Sequence, residues 1–202
     1  MSPHVPLASA ENGPAHSARR NELLRRAYEY VLTHGLTELS LRPLAAAIGS
    51  SPRVLLFLFD SKEGLVRAIL ARARAQEVEL ADQVRQEAGG DLVTVATAVW
   101  DWLSAPEHRP LLILWSESYA RSLIAPEGPW ARFAQETVDD WLALLAQAQP
   151  ARRRNTRAGE AERTLVLAVL RGALLDLLAT GDVTRTTAAV HRALAGVSLG
   201  RA

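Results

Sequence analysis

Almost nothing in this chain can build a β-sheet, and that restricts the fold more than any other feature. Runs of β-branched residues are short, and the one Asn-Gly pair, Asn12-Gly13, falls near the start. Long tracts of Ala, Leu, Arg and Glu with helical spacing fill the remainder. Those residues lose little side-chain freedom in a helix, and their apolar members recur at three- and four-residue steps. The expected fold class is all-α, with about nine helices.

Punctuation divides the helices. Leu23, Leu24, Ala27, Tyr28 and Val31 form one stripe of a first helix at about 18–33, which Gly35 ends. A second helix follows Ser40 and stops at Gly49. Ser51 as N-cap with Pro52 at the first helical position starts a third, which ends near Phe59-Asp60. Ser61 caps a long fourth helix that Gly89-Gly90 terminates. Further helices are expected at about 91–104, 107–124, 129–148, 159–180 and 183–198, separated by Pro106, Pro126, Gly128-Pro129, Pro150 and Gly181-Asp182. Residues 1–16, rich in Pro, Ala, Ser and Gly, read as a disordered arm. ARRRNTRAGE, residues 151–160, reads as a basic loop and the most mobile interior segment.

Composition removes several functions. The 202 residues include no cysteine, so disulfides, thiolate metal sites and cysteine nucleophiles are excluded, and a reducing cytoplasm is the simplest location. No apolar run is long enough for a signal peptide or a membrane span. The five histidines, His4, His16, His34, His108 and His191, have no metal-ligand spacing. Neither a phosphate-binding glycine loop nor a nucleophile elbow is present. The chain does not read as an enzyme, and no cofactor is implied.

Two short helices joined by a tight Gly turn at residues 41–58 form a helix-turn-helix pattern. The segment LSLRPLAAAIGSSPRVLLFLFDSKEGLVRAIL, residues 39–70, resembles the DNA-binding segment of the TetR family of transcriptional regulators. The matching features are Ser40-Leu41-Arg42, Leu44-Ala45, Ile48-Gly49, Ser51, Phe59, Ser61-Lys62-Glu63 and Leu65. The resemblance implies a helix-turn-helix domain over 17–64 and a ligand-binding and dimerisation domain over 65–202. It further implies a homodimer whose third helices enter the major groove of a near-palindromic double-stranded operator. A small-molecule effector of unknown identity would release the DNA, and repression by promoter occupancy is the expected mode.

The reading helix departs from the family pattern. Val54, Leu56 and Leu58 stand where the family usually carries hydroxyl, Tyr and His or Tyr groups that hold phosphates, and their side chains form no hydrogen bonds. Leu55 and Phe59 are expected in the core, with one or two of Leu56, Phe57 and Leu58 left exposed. Candidate DNA contacts are Arg19, Ser40, Arg42, Ser50, Ser51, Arg53, Phe57 and Lys62. Arg53 suits guanine, and an exposed apolar residue suits a thymine methyl. Lys62, the only lysine, lies in the first turn of a helix, where a phosphate would offset the unfavourable dipole. Within residues 1–65 the seven basic side chains (Arg19, Arg20, Arg25, Arg26, Arg42, Arg53, Lys62) nearly balance six acidic ones (Glu11, Glu22, Glu29, Glu38, Asp60, Glu63). A shallow salt dependence of DNA binding is therefore expected. The alternative reading is a dimer of this fold that has lost DNA binding and serves as a small-molecule- or protein-binding module.

In the larger domain, Val183, Thr187, Val190, Leu194 and Val197 form one stripe, and ERTLVLAVLRGALLDLLATG before it is apolar nearly all round. Such a helix must be covered on both sides. These two helices read as half of an intersubunit four-helix bundle, where the family also dimerises, with Leu167, Leu170, Leu174, Val190 and Leu194 as candidate interface residues. Aromatic and polar residues cluster in the preceding helices, and a mostly apolar cavity with few polar groups suits a small molecule. Trp100, Trp102, Trp115, Glu117, Tyr119 and Trp141 are the candidate ligand contacts.

Overall fold

The computed structural model describes residues 14–36, 39–125 and 127–199. Among these it contains ten α-helices, two single-turn 3₁₀ segments and no strand, so the fold is all-α. The expected arm lies outside the described residues up to residue 13, and its last three residues already belong to the first turn of α1 (Pro14–His34).

α1, α2 (Leu41–Ala47) and α3 (Pro52–Phe59) form the N-terminal head. Leu23, Ala27, Val31, Leu44, Ala45, Leu55 and Phe59 meet in its centre, all buried. The axis bends by 101° between α2 and α3, within the usual range for a helix-turn-helix. The turn has a defined chemistry. The Gly49 amide donates to Ala46 (3.3 Å) and the Ser50 amide to Ala45 (2.8 Å), the two bonds of a Schellman ending. That ending puts Gly49 at φ +67°, where a side chain would be strained.

Ser51 caps α3 by accepting from the Val54 amide at 3.3 Å, and Ser61 caps α4 (Lys62–Ala88) by accepting from Gly64 at 2.9 Å. Ser40 holds the N-cap position of α2, but its side chain makes no capping bond. The α3–α4 junction is tight. Asp60 has φ +66°, and a Cβ on Gly64 would lie 2.0 Å from the Phe59 carbonyl oxygen. Only glycine lets α4 begin this close to the end of α3.

α4 is about 40 Å long at ~1.5 Å per residue. Its first turns pack on α1 and α3, and its later turns pack on α5 (Leu92–Ser104) and α7 (Phe133–Gln147). Head and body thus share one helix. α6 (Arg109–Ile124) also touches α1. α9 (Arg157–Thr180) and α10 (Val183–Leu199) form an antiparallel pair that turns at Gly181 and covers α5.

The expected basic loop at 151–160 is not a loop. Ala151–Arg154 make a one-turn helix, α8, and α9 begins at Arg157. Gln149, buried, donates to the Gly159 carbonyl (3.0 Å) and to Glu162 (3.1 Å), and accepts from Arg163 (2.7 Å). Arg153 pairs with Glu162. Those arginines satisfy buried acceptors, which a reading of charge alone does not anticipate.

Candidate functional site

Two candidate sites emerge, one on the head and one inside the body. On the head, α3 buries Leu55, Leu58 and Phe59 and turns Arg53, Val54, Leu56 and Phe57 outward. Phe57 is 73% exposed, although the unfavourable hydration of a phenyl ring favours burial. Residues 53, 56 and 57 are three and four apart and share one helical face. The polar groups missing at Val54 and Leu56 are therefore missing from the outer face itself. Leu58 is buried and is unavailable for any groove contact.

The other candidate DNA contacts divide. Arg19, Ser40, Arg42, Ser51, Arg53 and Lys62 are exposed on the head or at its junction with α4. Ser50 is a correction: its Oγ is buried and meets no partner, so it does not present a hydroxyl to phosphate. Arg20 lies inside α1. Its Nε donates to the Leu58 carbonyl (3.3 Å) and its guanidinium stacks over the Phe59 ring at 4.8 Å. Arg26 Nη1 similarly donates to the Ile48 carbonyl in the turn (3.3 Å). Both arginines hold α1 against the helix-turn-helix.

The body contains a cavity of about 20 Å³, room for a single water. Five leucines line it: Leu103 of α5, Leu112 of α6, and Leu167, Leu170 and Leu174 of α9. Four polar side chains complete it: Glu77 of α4, Trp115 of α6, Trp141 of α7 and Arg171 of α9. Glu77 accepts from Trp141 Nε1 at 2.8 Å. Burial pushes the Glu77 carboxyl up to about 7, against the opposing pull of the Trp141 hydrogen bond and the Arg171 charge.

Arg171 is the unusual member. Burial lowers its proton affinity. Its one hydrogen bond, from Nη1 to Tyr119 Oη, is long at 3.4 Å. The guanidinium sits 5.7 Å from the Trp115 ring and 5.1 Å from the Tyr119 ring, a geometry in which the ring faces stabilise a cation. Among the described residues, no carboxylate stands within ion-pair distance of it. Its Nε and Nη2, and Trp115 Nε1, are buried without an acceptor. Each such donor costs about 1–3 kcal/mol.

The structure thus brings Trp115 and Trp141 to the cavity and Tyr119 to its edge through Arg171. It places the other candidates elsewhere. Trp100 is fully buried, and its Nε1 donates to Thr187 of α10 at 2.9 Å, an internal tie. Trp102 stacks on His108 at 4.1 Å. Glu117 faces the head, where its Oε2 accepts from the Leu36 amide at 3.3 Å. These three do not line this cavity: helical spacing puts them on the aromatic helices but on faces that meet other neighbours.

The five candidate interface residues turn inward. Leu167, Leu170, Leu174, Val190 and Leu194 are buried within their own chain, the first three against the cavity. The outward face of α9 is a different row, Ala161, Leu165, Ala168, Gly172, Leu175 and Ala179, all exposed. Its neighbour α10 exposes Ala188, Ala189, Ala195 and Gly196.

Sequence reasoning missed Glu77, Arg171 as a cavity-lining group, and Gly64. Glu77 interrupts the apolar row Val66, Ile69, Leu70, Ala73, Ala81 of α4, and Arg171 interrupts the apolar tract of α9. A charge within an apolar row was the available signal.

No protein-family model matches the chain, and no curated protein sequence matches it. Solved structures share its fold. A Rhodococcus protein described as a TetR-family transcriptional regulator superposes with a TM-score of 0.70 at 18% identity, over 89% of this chain and 98% of that one. A TetR transcription regulator from Haloarcula marismortui gives 0.67 at 16% identity, over 90% and 95%. The multidrug binding protein EbrR, complexed with imidazole, gives 0.64 at 24% identity, over 94% and 97%. The fold is that of the TetR-type regulators, head and body together.

Proposed function

We propose that this protein is a ligand-responsive transcriptional regulator. Two subunits bind a palindromic DNA operator through their α3 helices, repress by occupying it, and are released by a small molecule in the body. The observation that carries the DNA half is the outward face of α3. It combines Arg53, the best reader of guanine, with Val54, Leu56 and Phe57, which suit thymine methyls. Arg19, Arg42 and Lys62 are exposed around it for phosphates. The protein described as multidrug binding supports a small-molecule site in a body of this shape.

Dimerisation is supported by the outward rows of α9 and α10. Ala161, Leu165, Ala168, Gly172, Leu175 and Ala179 repeat at steps of 4, 3, 4, 3 and 4, a seam that suits helix packing across a two-fold axis. A Cβ on Gly172 or Gly196 would meet nothing in its own chain. Release is supported by connectivity. The cavity is small and enlarges only as its walls part, and two of them, α4 and α6, also touch the head. No single helix among the described residues is long and apolar enough to cross a membrane.

The test is selection of bound fragments from a random duplex library, followed by the Arg53→Ala/Lys62→Ala variant on the selected site. Enrichment of an inverted repeat, with binding lost in the variant, is the expected result. A folded dimer that enriches nothing at low or moderate salt overturns the DNA reading. It would favour a binding module of the same fold, for which the apolar α3 face is the specific support.

A further inference from the structure

We propose that the body cavity takes a small organic monoanion, a carboxylate on a compact apolar body, with its charged end gripped by Arg171 and Trp115. The inference rests on the ligand-responsive reading above and adds the chemical class of the effector.

The donors point to the class. Nε and Nη2 form one edge of the guanidinium, and their two N–H bonds run side by side. That edge matches the two oxygens of a carboxylate. It is also the edge that finds no acceptor, while the opposite nitrogen, Nη1, reaches Tyr119. Trp115, whose ring lies 5.7 Å from that guanidinium and which lines the same cavity, carries in Nε1 a third buried donor without a partner. Three unsatisfied donors and one positive charge thus belong to two residues that line a space completed by five leucines, Trp141 and Glu77. An acceptor-only group with a single negative charge satisfies all three.

Competing classes fit less well. The carboxyl of Glu77 lines the same cavity, so a dianion such as a phosphate monoester would face it with only one guanidinium in compensation. A cation would find Glu77 but would meet the Arg171 charge and leave the three donors unsatisfied. A neutral amide could accept two of the bonds, but it would bring N–H groups against donors. The body of the ligand must be apolar, because leucines and indole faces make up the remaining wall. It must also be compact, because the space of about 20 Å³ has to be enlarged by displacing those walls.

Isothermal titration calorimetry on the purified protein without DNA tests the proposal. The probes are benzoate and hexanoate, their amides benzamide and hexanamide, and the cation benzylamine. At least one carboxylate is expected to bind about tenfold or more tightly than its amide, since a site built around hydrogen-bonding groups rejects an analogue that cannot satisfy them. Arg171→Met should weaken carboxylate binding about tenfold or more while leaving the amide unchanged, and Arg171→Lys should restore only part of it. Trp115→Phe, which keeps the ring face and removes Nε1, gives an independent reading and should weaken the carboxylate several-fold. The proposal is overturned if no carboxylate binds, if amide or amine binds as well as its acid, or if Arg171→Met and Trp115→Phe both retain wild-type affinity. The regulator reading fails separately: a carboxylate that binds but does not release the selected DNA refutes release, and leaves the ligand class intact.

Discussion

Replacing Glu77 with glutamine should make the protein more stable at pH 8 and leave it nearly unchanged at pH 5. Glu77 is buried beneath α7, where its Oε1 accepts from Trp141 Nε1 at 2.8 Å. Glutamine keeps that acceptor and removes the titration. Burial raises the carboxyl from 4.5 in the unfolded chain to about 7 in the fold. Between those values the folded state holds the proton more tightly, so raising the pH favours the unfolded state. The proton-linked stability is complete below about 4.5, is lost as pH rises towards 7, and is absent above it. A gap of about 2.5 pH units at ~1.4 kcal/mol each corresponds to about 3 kcal/mol. Urea unfolding of wild type and Glu77→Gln, at one protein concentration and at half-unit steps from pH 5 to 8.5, gives the comparison. With a slope of ~2 kcal/mol per molar urea, the variant's midpoint should lead by about 1.5 M at pH 8. Groups that titrate identically in both proteins cancel in the difference. Parallel curves, with a gap that does not grow with pH, would refute the assignment of a strained buried carboxyl.

Three further outcomes are expected. Gly64→Ala places a methyl 2.0 Å from the Phe59 carbonyl, so it should cost ~2 kcal/mol or more despite the ~1 kcal/mol gain in helix propensity; a variant as stable as wild type by urea unfolding would show that the α3–α4 junction yields easily. Glu117→Ala removes the acceptor of the Leu36 amide, and hydrogen exchange should accelerate at Gly35 and Leu36; unchanged protection would show that α6 does not hold the head there. Leu165→Glu with Leu175→Glu puts two charges on the outward row of α9 and should convert a dimer to a monomer in light scattering; a dimer that survives both changes excludes this face as its interface.

The helix-turn-helix was legible because its signals are local. Ser51-Pro52, Gly49 and Ser61 act through neighbouring backbone groups, and α3 starts and ends where they place it. The burial of Leu55 and Phe59 followed from the same short segment. The cavity was only half legible. Trp115 and Trp141 were drawn from an aromatic cluster, but Trp100, Trp102 and Glu117 came from the same cluster and serve other contacts. Spacing along a helix states which residues share a face. It does not state which neighbour that face will meet.

The outward row of α9 shows the same limit. The later part of α9 is apolar nearly all round, so its composition required two covers without saying which row received each. Packing of α5, α7 and α10 decided that Leu167, Leu170 and Leu174 point inward and that Leu165, Gly172 and Leu175 point out. By itself the sequence determined most of the helices, their caps and turns, and the helix-turn-helix pattern of the head, because these depend on groups a few residues apart. Only the tertiary structure decided that Glu77, Trp115, Trp141 and Arg171 share one cavity and that the Nε edge of Arg171 lacks an acceptor. These residues lie on four different helices, and no local interaction fixes their meeting.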